Sequence, residues 1–141
     1  MSKRLGTPYT RGKSDVIENA APYQGAAIAE GLAVCKHTDG TIKAAGAAGA
    51  IIIGVSGMKE QKMQSFIRTG LEVYVQLASG ATPAVGGAVY VDADGKFTSA
   101  AKTGEVDNTA VNAVFASVKE TCIDSAGKTY DAAAIDFPGG L

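Results

Sequence analysis

Leu71-Glu72-Val73-Tyr74-Val75-Gln76-Leu77 alternates apolar residues with polar or amphipathic ones. A period of two sends the first set to one face of a strand and the second to the other, the pattern of a half-buried β-strand. Shorter runs of the same kind recur along the chain, and turn residues separate them. Ala27 to Cys35 alternates loosely and ends at His37-Thr38-Asp39-Gly40-Thr41, where Asp-Gly signals a hairpin; Ile42-Lys43-Ala44 is the return strand. Ile51-Ile52-Ile53-Gly54-Val55 reads as a buried strand with a bend at Gly54 and Gly57. Met58 to Gln64 is polar and reads as a protruding loop. Ser65 to Thr69 and Leu71 to Leu77 predict two strands, or one strand bent at Gly70.

Ala88-Val89-Tyr90-Val91 enters an Asp92-Ala93-Asp94-Gly95 turn and Lys96-Phe97-Thr98 leaves it, a second hairpin. Ala100 to Thr109 reads as loop. Ala113 to Val118 reads as a strand, with Thr121-Cys122-Ile123 continuing it past a bulge. Asp124 to Gly127 is a third turn, and Tyr130 to Phe137 is a last strand ended by Pro138-Gly139-Gly140. No stretch sustains a helical period, and no helical pattern separates the strands as a βαβ unit requires. Short strands with turns at this spacing predict an all-β sandwich or a partly closed barrel. Residues 1–25 lack a strand pattern and contain Pro8 and Pro22. They read as an extended arm with at most a helical turn opened at Asp15, where Asp15 and Glu18 have capping-box spacing. The expected organisation is an arm over 1–25 and a single β-domain with a C-terminal tail over 26–141.

Composition narrows this further. At 141 residues, with 46% hydrophobic and 19% charged residues, the chain suits one domain with a core. Its 18 glycines fall at the predicted corners. Net charge is −1, so no global field recruits nucleic acid. The charge is uneven: Lys3, Arg4, Arg11 and Lys13 all precede the first acid, Asp15, and the other 9 basic residues face 14 acids. A basic arm on an acidic body is the result. The run Ala47 to Val55 is broken by Gly49 and Gly54 and is too short to span a bilayer; no apolar signal segment follows the basic start. Synthesis in the cytoplasm is expected, and Cys35 and Cys122 are expected as reduced, buried thiols.

The chain offers little chemistry. His37 is the one imidazole and sits beside a turn, where exposure explains it better than a catalytic triad does. Gly54-Val55-Ser56-Gly57 has its second glycine one position too early for a nucleophile elbow. Asp92-Ala93-Asp94-Gly95 opens like a calcium loop, but Ala101 stands where the closing acid belongs, so a hairpin turn is the better reading. Glu72, Asp92 and Asp94 are the acids that could pair for glycoside chemistry, with nothing to mark one as buried. No phosphate-cradling motif is present, and Tyr9 is the one aromatic residue lying between basic residues of the arm. The expectation is a non-enzymatic protein without cofactor or metal.

Ile53-Gly54-Val55, Val73 to Val75, and the stretch Pro83, Gly86, Val89-Tyr90-Val91-Asp92, Gly95 and Thr98 occur in the order found in the capsid cement, or head decoration, proteins of tailed bacteriophages. Over roughly residues 26 to 120 the chain resembles that family. The resemblance implies a small antiparallel β-barrel or jelly-roll-like sandwich that binds the outer surface of an icosahedral head and staples neighbouring major capsid subunits. It implies a homodimer or homotrimer in the virion, without direct contact to nucleic acid or membrane. On that reading Lys3, Arg4, Tyr9, Arg11 and Lys13 meet acidic capsid surface, and the end from Phe137 to Leu141 docks into a neighbour. The alternative is a carbohydrate- or receptor-binding β-module of a virion or cell-surface appendage. That class favours clustered exposed aromatics, and here the aromatic share is 6% without tryptophan.

Overall fold

The computed structural model describes residues 3–6, 17–22, 28–36, 39–45, 51–60 and 63–141. Among them there is no helix, and twelve strands are found: β1 (Ile17–Pro22), β2 (Ala33–Lys36), β3 (Ile42–Ala44), β4 (Ile52–Glu60), β5 (Met63–Gln76), β6 (Ala88–Val91), β7 (Phe97–Thr98), β8 (Lys102–Thr103), β9 (Val106–Asp107), β10 (Thr109–Phe115), β11 (Glu120–Ile123) and β12 (Thr129–Phe137). Ten of them form one antiparallel sheet ordered β3-β2-β4-β5-β12-β10-β6-β7, with β1 added on β5 and β11 on β12; β8 and β9 form a separate ribbon. The all-β expectation therefore holds.

β5 is the spine. Its first half lies between β1 and β4, with Phe66 opposite both Asn19 and Ser56, and its second half pairs with β12. Between the halves the register shifts: Phe137 faces Gly70 and Ile135 faces Val73, so Leu71 and Glu72 together oppose Asp136. Glu72 takes up the extra residue with φ of 51°, and its N–H, taken out of the ladder, donates to Asp136 Oδ1 at 2.7 Å. An inserted residue of this kind bends a strand and sharpens its twist. The bend lets one strand serve two parts of the sheet.

The sheet then curls back on itself. Ala78 N donates to Phe97 O at 2.8 Å and Leu77 bridges Phe97 in parallel, so the end of β5 meets β7 and the circuit β5-β12-β10-β6-β7 closes. The β6–β7 turn reaches β2 and β3, where Ala33 N donates to Gly95 O at 2.9 Å. A Cβ on Gly95 would lie 3.0 Å from Ala45 O and 3.2 Å from Ala33 O, and its φ is +79°, so only glycine fits that approach. The enclosed core is formed by Val73, Val75, Val89, Phe97, Phe115, Ile135 and Phe137 with their neighbours. Two smaller clusters lie elsewhere, one of Leu5, Tyr74, Cys122, Ala132 and Ala134, the other of Ile28, Leu32, Val34, Ile42 and Phe66.

Several expectations change. Residues 71–77 are not a half-buried strand: Tyr74 and Gln76 are buried along with Val73 and Val75, because Leu5 and the 28–32 segment cover the second face. Met58 to Gln64 is not simply a loop, since β4 runs to Glu60 and β5 starts at Met63. Ala100 to Thr109 contains the β8–β9 ribbon, and the strand expected from Ala113 starts at Thr109. Ile17 and Glu18 are extended and pair with β5, not helical. The carboxylate of Asp92 accepts from the amides of Asp94 (2.9 Å) and Lys96 (3.0 Å), which is the hairpin-turn reading of that sequence.

Candidate functional site

The first described segment, Lys3 to Gly6, is locked into the domain. Leu5 N donates to Ile123 O (3.0 Å), Ile123 N to Lys3 O (2.9 Å) and Gly6 N to Tyr74 O (2.8 Å), while the Leu5 side chain is fully buried. Both cations of the segment meet carboxylates of the same chain. Lys3 Nζ pairs with Glu120, whose other oxygen accepts from Tyr74 Oη at 3.0 Å. The ammonium also lies 5.2 Å from the centre of the Tyr74 ring. Arg4 pairs with Glu30 at 3.1 Å, and the second oxygen of Glu30 accepts from the amide (2.8 Å) and hydroxyl (2.7 Å) of Ser125.

These contacts set the electrostatics. The hydrogen bond to Glu120, then that to Tyr74, holds the Lys3 ammonium above the ordinary lysine value. Burial acts to raise Glu120, but hydrogen bonds from Lys3, Tyr74 and Ser117 together hold its carboxyl below the ordinary range. Burial, chiefly, pushes the Tyr74 phenol up. Glu30 joins three parts of the chain, since its backbone carbonyl also accepts from Gln76 Nε2 at 2.8 Å. Neighbouring Gly31 and Leu32 are tied to β4 through Ser56: Gly31 N donates to Ser56 O at 2.8 Å and Leu32 N to its Oγ at 3.0 Å.

The sequence-derived contact residues therefore divide. Lys3 and Arg4 are anchors of their own segment and not free charges. Tyr9, Arg11 and Lys13 lie outside the described residues, as does His37. Phe137 is fully buried in the principal core, so its ring is not presented to a neighbour. Leu141 is partly buried against the same core. Strand alternation accounts for Phe137, which lies in phase with Ala133 and Ile135 on the inner face.

Two surface grooves flank the bend of β5. One, of about 390 Å³, runs past the Lys3–Glu120 pair between Val85, Glu72 and Val118. Val85 and Val118 are 71% and 58% exposed. The other, of about 440 Å³, has Ile53, Phe66 and Leu141 in its lining and Lys36 and Arg68 beside them. Sequence reasoning missed both, because each lining combines strands far apart in the chain. Among the described residues no group of three or more His, Cys, Asp or Glu side chains could hold a metal ion. Cys35 and Cys122 are free and buried. Burial, with a smaller contribution from Glu120, pushes the Cys122 thiol up to about 11.

No protein-family model matches the chain, and no curated protein does. Among solved structures, a chain from the capsid of Myoviridae phage XM1 is similar, with a TM-score of 0.70 and 18% sequence identity. The match covers 99% of this chain and 92% of that one. The two share a fold over the matched lengths.

Proposed function

We propose that this chain is a structural protein of a tailed-phage virion and acts as a cement protein. On this reading it binds the outer surface of an icosahedral head, as a homodimer or homotrimer, and staples neighbouring major capsid subunits. One observation carries the proposal: the fold match to a chain from a phage capsid spans 99% of this chain, at a TM-score of 0.70. The surfaces are of a kind that supports it. Exposed valines such as Val85 and Val118 offer apolar surface that a partner can cover. Many copies on one shell multiply a modest contact at each site.

The proposal assigns no catalytic residue and no cofactor, and it places the protein in the virion after synthesis in the host cytoplasm. It also refines which arm residues touch the shell. Lys3 and Arg4 are neutralised within the chain. Tyr9, Arg11 and Lys13 lie in the sequence between that anchored segment and β1, and they are assigned to acidic capsid surface. Purified protein mixed with expanded capsids that lack it should co-sediment at a fixed ratio to capsid subunits. Moderate salt and Arg11→Glu with Lys13→Glu should each lower occupancy, as exposed charge contacts are screened. Absence of co-sedimentation at any concentration tested overturns the proposal.

A further inference from the structure

β2, β4 and the first half of β5 turn one face to the principal core and the other away from it. Strand alternation sorts the side chains between the two faces. Cys35 and Ile67 belong to the principal core, so the residues on either side of each, Val34 and Lys36, Phe66 and Arg68, emerge on the outer face. Val34 and Phe66 are buried there in the cluster with Ile28, Leu32 and Ile42. Lys36 and Arg68, two residues further along their strands, lie past that cover: both are exposed, and both line the groove of about 440 Å³. Ile53 is the extra residue where β4 slips against β2; it packs on the edge of the same cluster and reaches the groove. Gly54 gives the Phe66 ring its room, since a Cβ there would lie 2.9 Å from Phe66 Cδ2 and 2.5 Å from Ile67 O. Leu141 adds to the apolar lining, and Ile51, 81% exposed, precedes Ile52 of that lining in the chain.

Neither cation forms an ion pair with a described residue. A purely apolar partner would strip water from both and return no charge, so the surface selects for carboxylates. β4 separates β2 from β5, which sets the two backbones that carry the cations two strand spacings apart, about 10 Å. An extended segment matches that span when its acids lie two positions before and two after an apolar residue. Those three side chains share one face, and the segment measures about 13 Å from acid to acid.

We infer that this groove is a capsid contact, and that it receives an extended segment of a major capsid subunit with an apolar residue midway between two acids four positions apart. The apolar side chain enters over Ile53 and Phe66, and the carboxylates meet Lys36 and Arg68. The inference rests on the cement reading and adds to it the surface of this chain that makes the contact and the chemistry of the segment it recognises.

Co-sedimentation of the full chain with expanded capsids that lack it, followed by zero-length carbodiimide coupling of the bound protein, tests it. Lys36→Glu with Arg68→Glu should raise the apparent dissociation constant about tenfold or more, whereas Lys36→Arg with Arg68→Lys should keep most of the occupancy. Both variants should keep the original urea midpoint, because both side chains are exposed. In the unaltered chain, coupling should join Lys36 to an Asp or Glu of a capsid subunit, within a peptide that has the acid and apolar spacing given above. Undiminished occupancy in the charge-reversed variant overturns the inference and leaves the cement reading standing. So does a coupled capsid peptide without that spacing, or coupling of Lys36 only to another copy of this chain or to no carboxylate. An unaltered chain that fails to co-sediment overturns both.

Discussion

Gly6→Ala tests how the N-terminal segment is held. A Cβ at position 6 would lie 2.2 Å from Ser56 O and 3.0 Å from Gly57 Cα, and the backbone there has φ of +64°. The left-handed conformation alone costs alanine about 1–2 kcal/mol. Ser56 O cannot retreat cheaply: it accepts from Gly31 N at 2.8 Å, and Ser56 N donates to Leu32 O at 2.8 Å. Relief must come from movement of the segment itself.

The margin that keeps the segment in place is narrow. Burying Leu5 contributes about 1.5–3 kcal/mol. The backbone bonds of Leu5, Gly6 and Ile123 contribute about 1 kcal/mol each. Against this, ordering the backbone costs about 1–2 kcal/mol for each residue from Lys3 to Gly6. The sum lies within a few kcal/mol of zero, so the strain and overlap introduced by one methyl group are enough to release the segment. Hydrogen exchange should then show loss of protection at the amides of Gly6 and Ile123, while the amides of Val75 and Ala133 stay protected. The urea midpoint should fall by an amount equivalent to about 1–3 kcal/mol, as Tyr74 and Ala134 lose their cover. Gly40→Ala is the control, because φ there is +86° but a Cβ meets nothing within 4 Å. It should show only the conformational cost. Unchanged protection at Gly6 and Ile123 in Gly6→Ala would refute the reasoning.

Two further outcomes follow from the charges and thiols of the same region. Glu120 titrates below its ordinary value of 4.5 in the folded protein, so its contribution is present above that value and is lost as pH falls through the lowered one. Lys3, held above 10.5, contributes fully below that value and loses its part only at more alkaline pH. Urea midpoints measured against pH should therefore decline on the acid side below 4.5, less steeply in Glu120→Gln. Cys122, fully buried and with its thiol at about 11, should resist Ellman's reagent at neutral pH and react promptly once denaturant is added; reaction at the free-thiol rate in the native protein would contradict its place beneath Leu5.

The sequence made the strands legible wherever apolar residues alternate or cluster between turn signals. Ile42 to Ala44, Ala88 to Val91 and Tyr130 to Phe137 were all visible on that ground, and all are strands. What local pattern cannot carry is the second partner of a face. Tyr74 and Gln76 occupy outward positions of an alternating run, yet both are buried, because Leu5 and Glu30 arrive from elsewhere in the chain. The same limit misread the basic residues. Lys3 and Arg4 look like free arm charges until the fold brings Glu120 and Glu30 beside them, 117 and 26 residues away in the chain. Lys36 and Arg68, ordinary outward residues of two strands, gave no sequence signal, because their significance depends on a groove assembled from separate strands.

Which charges are left over is the more informative question for a protein whose described residues hold no clustered chemistry. Folding pairs Lys3 with Glu120 and Arg4 with Glu30, so the charges of those two residues are satisfied before any partner arrives. Exposed charges that fold without a partner, and that also border apolar surface, are the ones positioned to discriminate between partners, because a wrong neighbour leaves them desolvated and unpaired. On that criterion Arg68, just before the bend in β5, and Glu72, within it, stand out among the described charges. The bend links them: the residue inserted at Glu72 turns β5 from one part of the sheet to the other, and it leaves a cationic groove before the turn and a valine-flanked, acidic one after it. One irregular residue in the longest strand thus lets that strand serve both parts of the sheet.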